Sequence, residues 1–225
     1  GTLWGGTEQI KDYFHLRKTN DALALENSEL RTELARYRKA EEDSLLNAEA
    51  REIAGKYRYI PASIMKISRN TQHNYMIIDK GSEDGVVIGS GVITGKGAIG
   101  VIDAVSSNCS YAISFRNHEM NISSRLGKEG AVGPLSWDGH SSAGAILKEI
   151  PHHVEFEPGD TVFTSGFSSI FPPDIPLGIT GKSKIVNGST YEIEIELLED
   201  FGALRYVTIV ENLGKNEMKQ LEERR

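Results

Sequence analysis

A mainly β protein with a long N-terminal α-helix is the fold class this sequence predicts: a coiled-coil helix followed by two small Gly-rich β-barrels. Three observations carry that expectation. Residues 7–54 contain neither glycine nor proline and are rich in Glu, Leu, Ala, Arg and Lys, the strong helix formers. Beyond Gly55 the apolar period changes to two, in short runs divided by Gly-, Asn- and Ser-rich turns. Two turn pairs, Asp138-Gly139 and Asn187-Gly188, lie between such runs and read as hairpins.

Residues 1–6 read as a linker, and the helix is expected over 7–56, ended by Gly55 and Pro61. Placing Leu16, Leu23, Leu30 and Tyr37 at heptad position d puts Tyr13, Asn20, Asn27 and Leu34 at a. Asn20 and Asn27 would lose water inside a seam. That cost is best offset when each meets its own copy across a two-stranded parallel axis, so the pattern predicts a parallel homodimer, with higher assembly left open. At 1.5 Å per residue the helix would be about 70 Å long, far more than the width of a small barrel. The alternative is one amphipathic helix packed on its own barrel.

The first barrel is expected over 57–117. Its strands are read at Tyr59–Ser68, Asn74–Asp79, Gly91–Thr94, Ala98–Val105 and Tyr111–Phe115, with the intervening glycines supplying turns and sharp coiling. The second is expected over 118–212, with a boundary near Arg116–Met120 that a strand exchanged between barrels would blur. Ala131–Trp137 and Ala143–Ile150 flank Asp138-Gly139, while Lys182–Val186 and Tyr191–Leu198 flank Asn187-Gly188. Arg205–Glu211 is read as returning beside Tyr191–Leu198. In that strand Tyr191, Ile193, Ile195 and Leu197 share one face, and Glu192, Glu194 and Glu196 the other, a core side and a solvated acidic stripe. Residues 213–225 form a charged tail.

One stretch, Gly159–Gly178, reads as strand, turn, constrained loop, strand. Thr161–Thr164 suits a pleated surface, and Pro172, Pro173 and Pro176 then stiffen the return because each fixes φ and lacks an N–H. Phe163, Phe167, Ile170, Phe171 and Ile175 are expected to plug one barrel end.

Composition narrows the function. The 225 residues carry 25 Lys+Arg against 32 Asp+Glu, a formal net charge of −7 with no dense basic run, which argues against nucleic acid. No segment approaches the roughly 20 apolar residues of a membrane span. Cys109, the single cysteine, precludes an intrachain disulfide and reads as a small buried hydrophobe, since no cationic neighbour is evident to activate it.

Tests for chemistry find no catalytic constellation. Ser165 is the one tempting nucleophile, with His15, His73, His118, His140, His152 and His153 available, but no Gly-x-Ser-x-Gly elbow surrounds it. His152-His153 are adjacent, so in a strand they would face opposite sides and could not chelate one ion. Asp79–Gly85 superficially suggests a calcium loop, yet it lacks alternating oxygen ligands and reads better as paired turns built by Asp79, Gly81, Asp84 and Gly85. No metal, cofactor, small-molecule substrate or catalytic residue is therefore expected, and function should lie in surfaces.

Three runs carry a family resemblance: the Gly-Asp-x-Val-x-Thr-Ser-Gly of 159–166 followed by Phe-Pro and Ile-Pro-x-Gly, then Ile78–Gly85, and Gly91–Val101. With a heptad helix in front, the chain resembles MreC, the bacterial rod-shape-determining family, over most of 13–211. That family often has glycine where Ser168, Ser169 and Asp174 stand here. The resemblance implies a non-enzymatic scaffold of the cell-elongation machinery, extracytoplasmic or periplasmic. It would be anchored to the cytoplasmic membrane by an N-terminal segment just before the coiled coil. Implied partners are a second copy of the chain, a penicillin-binding transpeptidase and other membrane proteins of the elongation complex. Carried onto this chain, the resemblance makes Ser165, Gly166, Phe167, Phe171, Pro172, Pro173 and Ile175 the candidate partner loop. Two other readings remain: a periplasmic adaptor of an export system, which usually needs a helical hairpin where only one helix is read here, and a barrel serine hydrolase using Ser165.

Overall fold

In a computed structural model of the chain, the described residues are 56–68, 72–127 and 130–215, together with Leu30. The expected helix and its seam at Tyr13, Leu16, Asn20, Leu23, Asn27, Leu34 and Tyr37 lie outside them, and Leu30 is helical and half exposed. Twelve strands occupy the rest: β1 (Tyr57–Ile67), β2 (His73–Ile78), β3 (Gly91–Thr94), β4 (Gly97–Val105), β5 (Ser110–Asn117), β6 (Asn121–Leu126), β7 (Val132–Trp137), β8 (Gly144–Pro151), β9 (Thr161–Thr164), β10 (Pro176–Val186), β11 (Thr190–Leu197) and β12 (Tyr206–Asn212).

They close into two six-stranded antiparallel barrels. The first runs β1-β12-β3-β4-β5-β2 and the second β10-β11-β8-β7-β6-β9. Closure leaves no strand edge unpaired, which suits strands this short and glycine-rich. Alternation fills each interior. Met76, Ile78, Val92, Ile102, Ala112 and Ile209 are sealed in the first, and Ile122, Leu135, Leu147, Val162, Ile193 and Ile195 in the second.

The partner of the last strand is the main departure from the sequence reading, which had allowed for a strand exchanged between the barrels. Arg205–Glu211 was expected beside Tyr191–Leu198, but β12 instead inserts between β1 and β3, with Ile60 opposite Ile209 and Val92 also opposite Ile209. The partners of β11 are β10 and β8. The chain thus enters the second barrel through residues 118–120 and leaves it through 198–205, where buried Phe201 packs on Phe115 of the first barrel at 6.4 Å between ring centroids.

Pro61 lies within β1, inside the expected strand Tyr59–Ser68. It pairs with Thr208, and β2 joins β1 only from Ile64, so the proline sits where the strand has one neighbour. β6 has no counterpart in the expected strands, because Asn121-Ile-Ser-Ser-Arg-Leu126 is polar at four of six positions. Its inward row is Ile122, Ser124 and Leu126, and Ser124 is tolerated there because its hydroxyl donates to the Ile122 carbonyl at 3.0 Å. Cys109 also departs from expectation: it is half-buried in the turn before β5, beside the Ser106 hydroxyl, and not sealed in a strand.

The Asn187-Gly188 hairpin forms as expected. Asn187 and Gly188 have φ of 53° and 70°, and Ser189 N–H donates to the Val186 carbonyl, the signature of a type I′ turn. On β11, Ile193, Ile195 and Leu197 face inward, while Glu194 and Glu196 are exposed and Glu192 pairs with Lys184 across the strand at 2.8 Å.

Candidate functional site: the loop between β9 and β10

Residues 165–175 join β9 to β10 and carry every residue of the candidate partner loop. The base is fixed by polar contacts to the second barrel. Ser165 N–H donates to the Ser123 carbonyl at 3.0 Å, and the two serine hydroxyls lie 2.7 Å apart. Buried Thr164 ties the two ends together: its hydroxyl donates to the Pro172 carbonyl at 2.7 Å and accepts from Ile175 N–H at 3.0 Å. Proline at 172 and 173 removes two N–H donors, so the loop leaves fewer backbone groups needing partners. Outside, the Arg125 guanidinium pairs with the Asp174 carboxylate. Asp174 has φ of 68°, a left-handed conformation that a glycine would adopt more readily.

Within this frame the two phenylalanines have opposite fates. Phe171 is 2% exposed and Phe167 is 81% exposed. Phe163, Ile170 and Ile175 are intermediate, so of the five residues expected to plug the barrel end only Phe171 is sealed. Between the two rings the chain is pinned by Ser168, whose hydroxyl accepts from Ile170 N–H at 3.4 Å and from Phe171 N–H at 3.3 Å.

Phe171 is buried against the other barrel. A Cβ on Gly91 of β3 would lie 2.5 Å from the ring's Cε1 and 2.9 Å from Val210 Cγ1 of β12, so only glycine leaves room. The Tyr57 hydroxyl donates to the Phe171 carbonyl at 3.2 Å. Burial holds the Tyr57 phenol above its ordinary value, which keeps it protonated and able to donate. Gly91 and Tyr57 were not among the candidate site residues, and nothing local in the sequence marks them as partners of residue 171.

The Ser165 hydroxyl engages the Ser123 hydroxyl and accepts from the Phe167 N–H at 3.1 Å, so it helps to fix the base of the loop. Among the described residues no group of three His, Cys, Asp or Glu side chains is placed to hold a metal. His152 and His153 sit in the turn after β8, not in a strand, with rings edge-on at 6.4 Å. In the acidic run, Asp79 and Asp84 are committed to backbone, accepting from Ser63 N–H at 2.6 Å and Gly81 N–H at 3.0 Å. Gly85 takes the expected left-handed turn.

This loop and most of both barrels fall inside one family match. The family model for the rod shape-determining protein MreC, barrel core, covers residues 64–211. The chain belongs to the MreC family. The cell shape-determining protein MreC of Listeria monocytogenes is 26% identical over 171 residues, which is 75% of this chain and 57% of that protein. The chain thus spans little more than half the length of that relative. The solved structure of MreC from Listeria monocytogenes matches with a TM-score of 0.65 at 24% identity, over 93% of this chain and 95% of that one. A solved complex between the penicillin-binding protein PBP2 and MreC from Helicobacter pylori matches with a TM-score of 0.58 at 16% identity, over 70% of this chain and 99% of that one. At those identities the likeness is one of fold.

Proposed function

We propose that this protein is a non-enzymatic scaffold of the bacterial cell-elongation machinery, which holds wall-synthesis enzymes at a set position for rod-shape maintenance. The observation that carries this reading is the exposed Phe167 on a loop whose base is clamped at Ser123, Thr164 and Arg125. A large aromatic ring held in water on a pinned loop loses little conformational freedom when a partner covers it, which is what a hot-spot residue requires. The partner class is a penicillin-binding transpeptidase. Support comes from the family match and from the Helicobacter pylori complex, in which a protein of the same fold is bound to the penicillin-binding protein PBP2.

In this reading the barrels stand on the extracytoplasmic side of the cytoplasmic membrane, tethered through an N-terminal segment ahead of the helix. Residues Tyr13, Leu16, Asn20, Leu23, Asn27, Leu30, Leu34 and Tyr37 form the seam of a parallel homodimer, and pairing two loops raises avidity without new contacts.

The test is binding of the purified transpeptidase ectodomain from the same cell, measured by calorimetry against the parent chain and Phe167→Ala. Loss of roughly tenfold or more in affinity is expected for a central aromatic anchor. Equal affinities would remove the loop from the interface, and no binding to the parent would remove the scaffold reading. For the dimer, sedimentation of Asn20→Leu and Asn27→Leu should show a changed oligomer number; monomers throughout would refute the seam.

A further inference from the structure

The loop that presents Phe167 is held at its other end by the barrel to which it does not belong. Both the ring and the carbonyl of Phe171 are engaged there, the ring in the notch left by Gly91 beside Val210 and the carbonyl by the Tyr57 hydroxyl. Between Phe167 and Phe171 the Ser168 hydroxyl accepts from the Ile170 and Phe171 N–H groups, so a single compact turn separates the two rings. We propose that Phe171 is a latch: the first barrel sets the conformation in which the second barrel's loop offers Phe167, so partner capture and barrel docking are coupled. This rests on the reading of the loop as the partner site and supplies its regulation.

The coupling has two states, Phe171 seated against Gly91 and Phe171 withdrawn. A partner that recognises Phe167 in the seated loop favours seating, and by reciprocity anything that withdraws Phe171 weakens the partner. Tyr57 is the first residue of β1, so the latch lies where the first barrel begins.

Gly91→Ala tests this directly, because the added methyl would overlap the Phe171 ring. Tyr57→Phe is the milder companion, since it removes only the hydroxyl and leaves the barrel core untouched, so a folding failure of Gly91→Ala does not end the test. The first readout needs no partner. Amide hydrogen exchange of 165–175 should accelerate roughly tenfold or more in Gly91→Ala, and in the same direction but less in Tyr57→Phe, while β8 and β11 keep their protection. Unchanged exchange in both folded variants overturns the latch.

The second readout is affinity for the transpeptidase ectodomain. Gly91→Ala should bind roughly 5- to 100-fold more weakly than the parent although Phe167 is intact. Phe167→Ala should lose binding with loop exchange unaltered. Parent-like affinity in both a Gly91→Ala and a Tyr57→Phe protein whose loops exchange faster overturns the coupling. If the parent itself fails to bind, the partner reading and the coupling fall together, while the exchange data still decide the latch.

Discussion

Ile209 in β12 lies directly opposite Ile60 in β1, and the first barrel is closed by that pairing between the two ends of the described β region. Without β12, β1 and β3 would each expose an unpaired edge, and fully buried Val210 and Ile209 would be lost from the wall. Ending the chain after Leu204 should therefore unfold the first barrel and spare the second, whose strands are contiguous from β6 to β11. Hydrogen exchange on the truncated protein checks this: 57–117 should exchange as unfolded chain and 132–197 should stay protected. Retained protection of β4 and β5 would contradict it.

The same pairing shows what the sequence could and could not carry. Alternation over Thr190–Leu197, the Asn187-Gly188 turn and the Gly-Asp-x-Val-x-Thr run are local signals, and the strands they mark lie where those signals place them. The destination of β12 is not local. Its inward residues Val207 and Ile209 would suit either barrel, and only closure of the first selects it. β6 was silent because Ser124 occupies a core position, satisfied by a carbonyl two residues back. At the candidate site the loop was legible from its prolines and aromatics. Its supports at Gly91, Tyr57, Ser123 and Arg125 were not, since each meets the loop from a distant stretch of chain.

Phe167 and Phe171 should separate stability from recognition. Phe171→Ala removes a sealed aromatic from between the barrels and should cost about 3 kcal/mol or more. Phe167→Ala touches an exposed ring and should stay within about 0.5 kcal/mol of the parent. Urea denaturation of the three proteins reads both values. Comparable losses in the two variants would mean that Phe167 is part of the packed structure.

Turn chemistry gives a third expectation. Both central residues of the type I′ turn have positive φ, so Gly188→Ala forces a Cβ into the left-handed region even though no atom lies within 4 Å of it. The loss should be about 1–2 kcal/mol from backbone strain alone. A shortened Asn187→Gly variant of the side chain should be nearly neutral. Thermal midpoints that fail to separate Gly188→Ala from the parent would show that the turn relaxes to another type.

Acid stability can be assigned at one turn. The Asp84 carboxyl is held below its ordinary value of 3.8, first by the Gly81 N–H that donates to it and then by the Lys80 ammonium 3.0 Å away. A carboxyl whose folded pKa is depressed binds its proton more readily in the unfolded chain. Its contribution is thus complete above the ordinary value and is lost as the pH falls through the lower folded value. Asp84→Asn should then be less stable than the parent by a constant margin above about pH 5, and the margin should shrink toward zero in stronger acid. Both side chains of the Lys80–Asp84 pair are about one-third exposed, so screening keeps the margin below about 1 kcal/mol. Salt should reduce only the part due to Lys80, because the hydrogen bond from Gly81 N–H is local and unscreened. Urea midpoints of the two proteins across the acid range measure this margin, and one that stays constant or widens in acid would place the depressed carboxyl elsewhere.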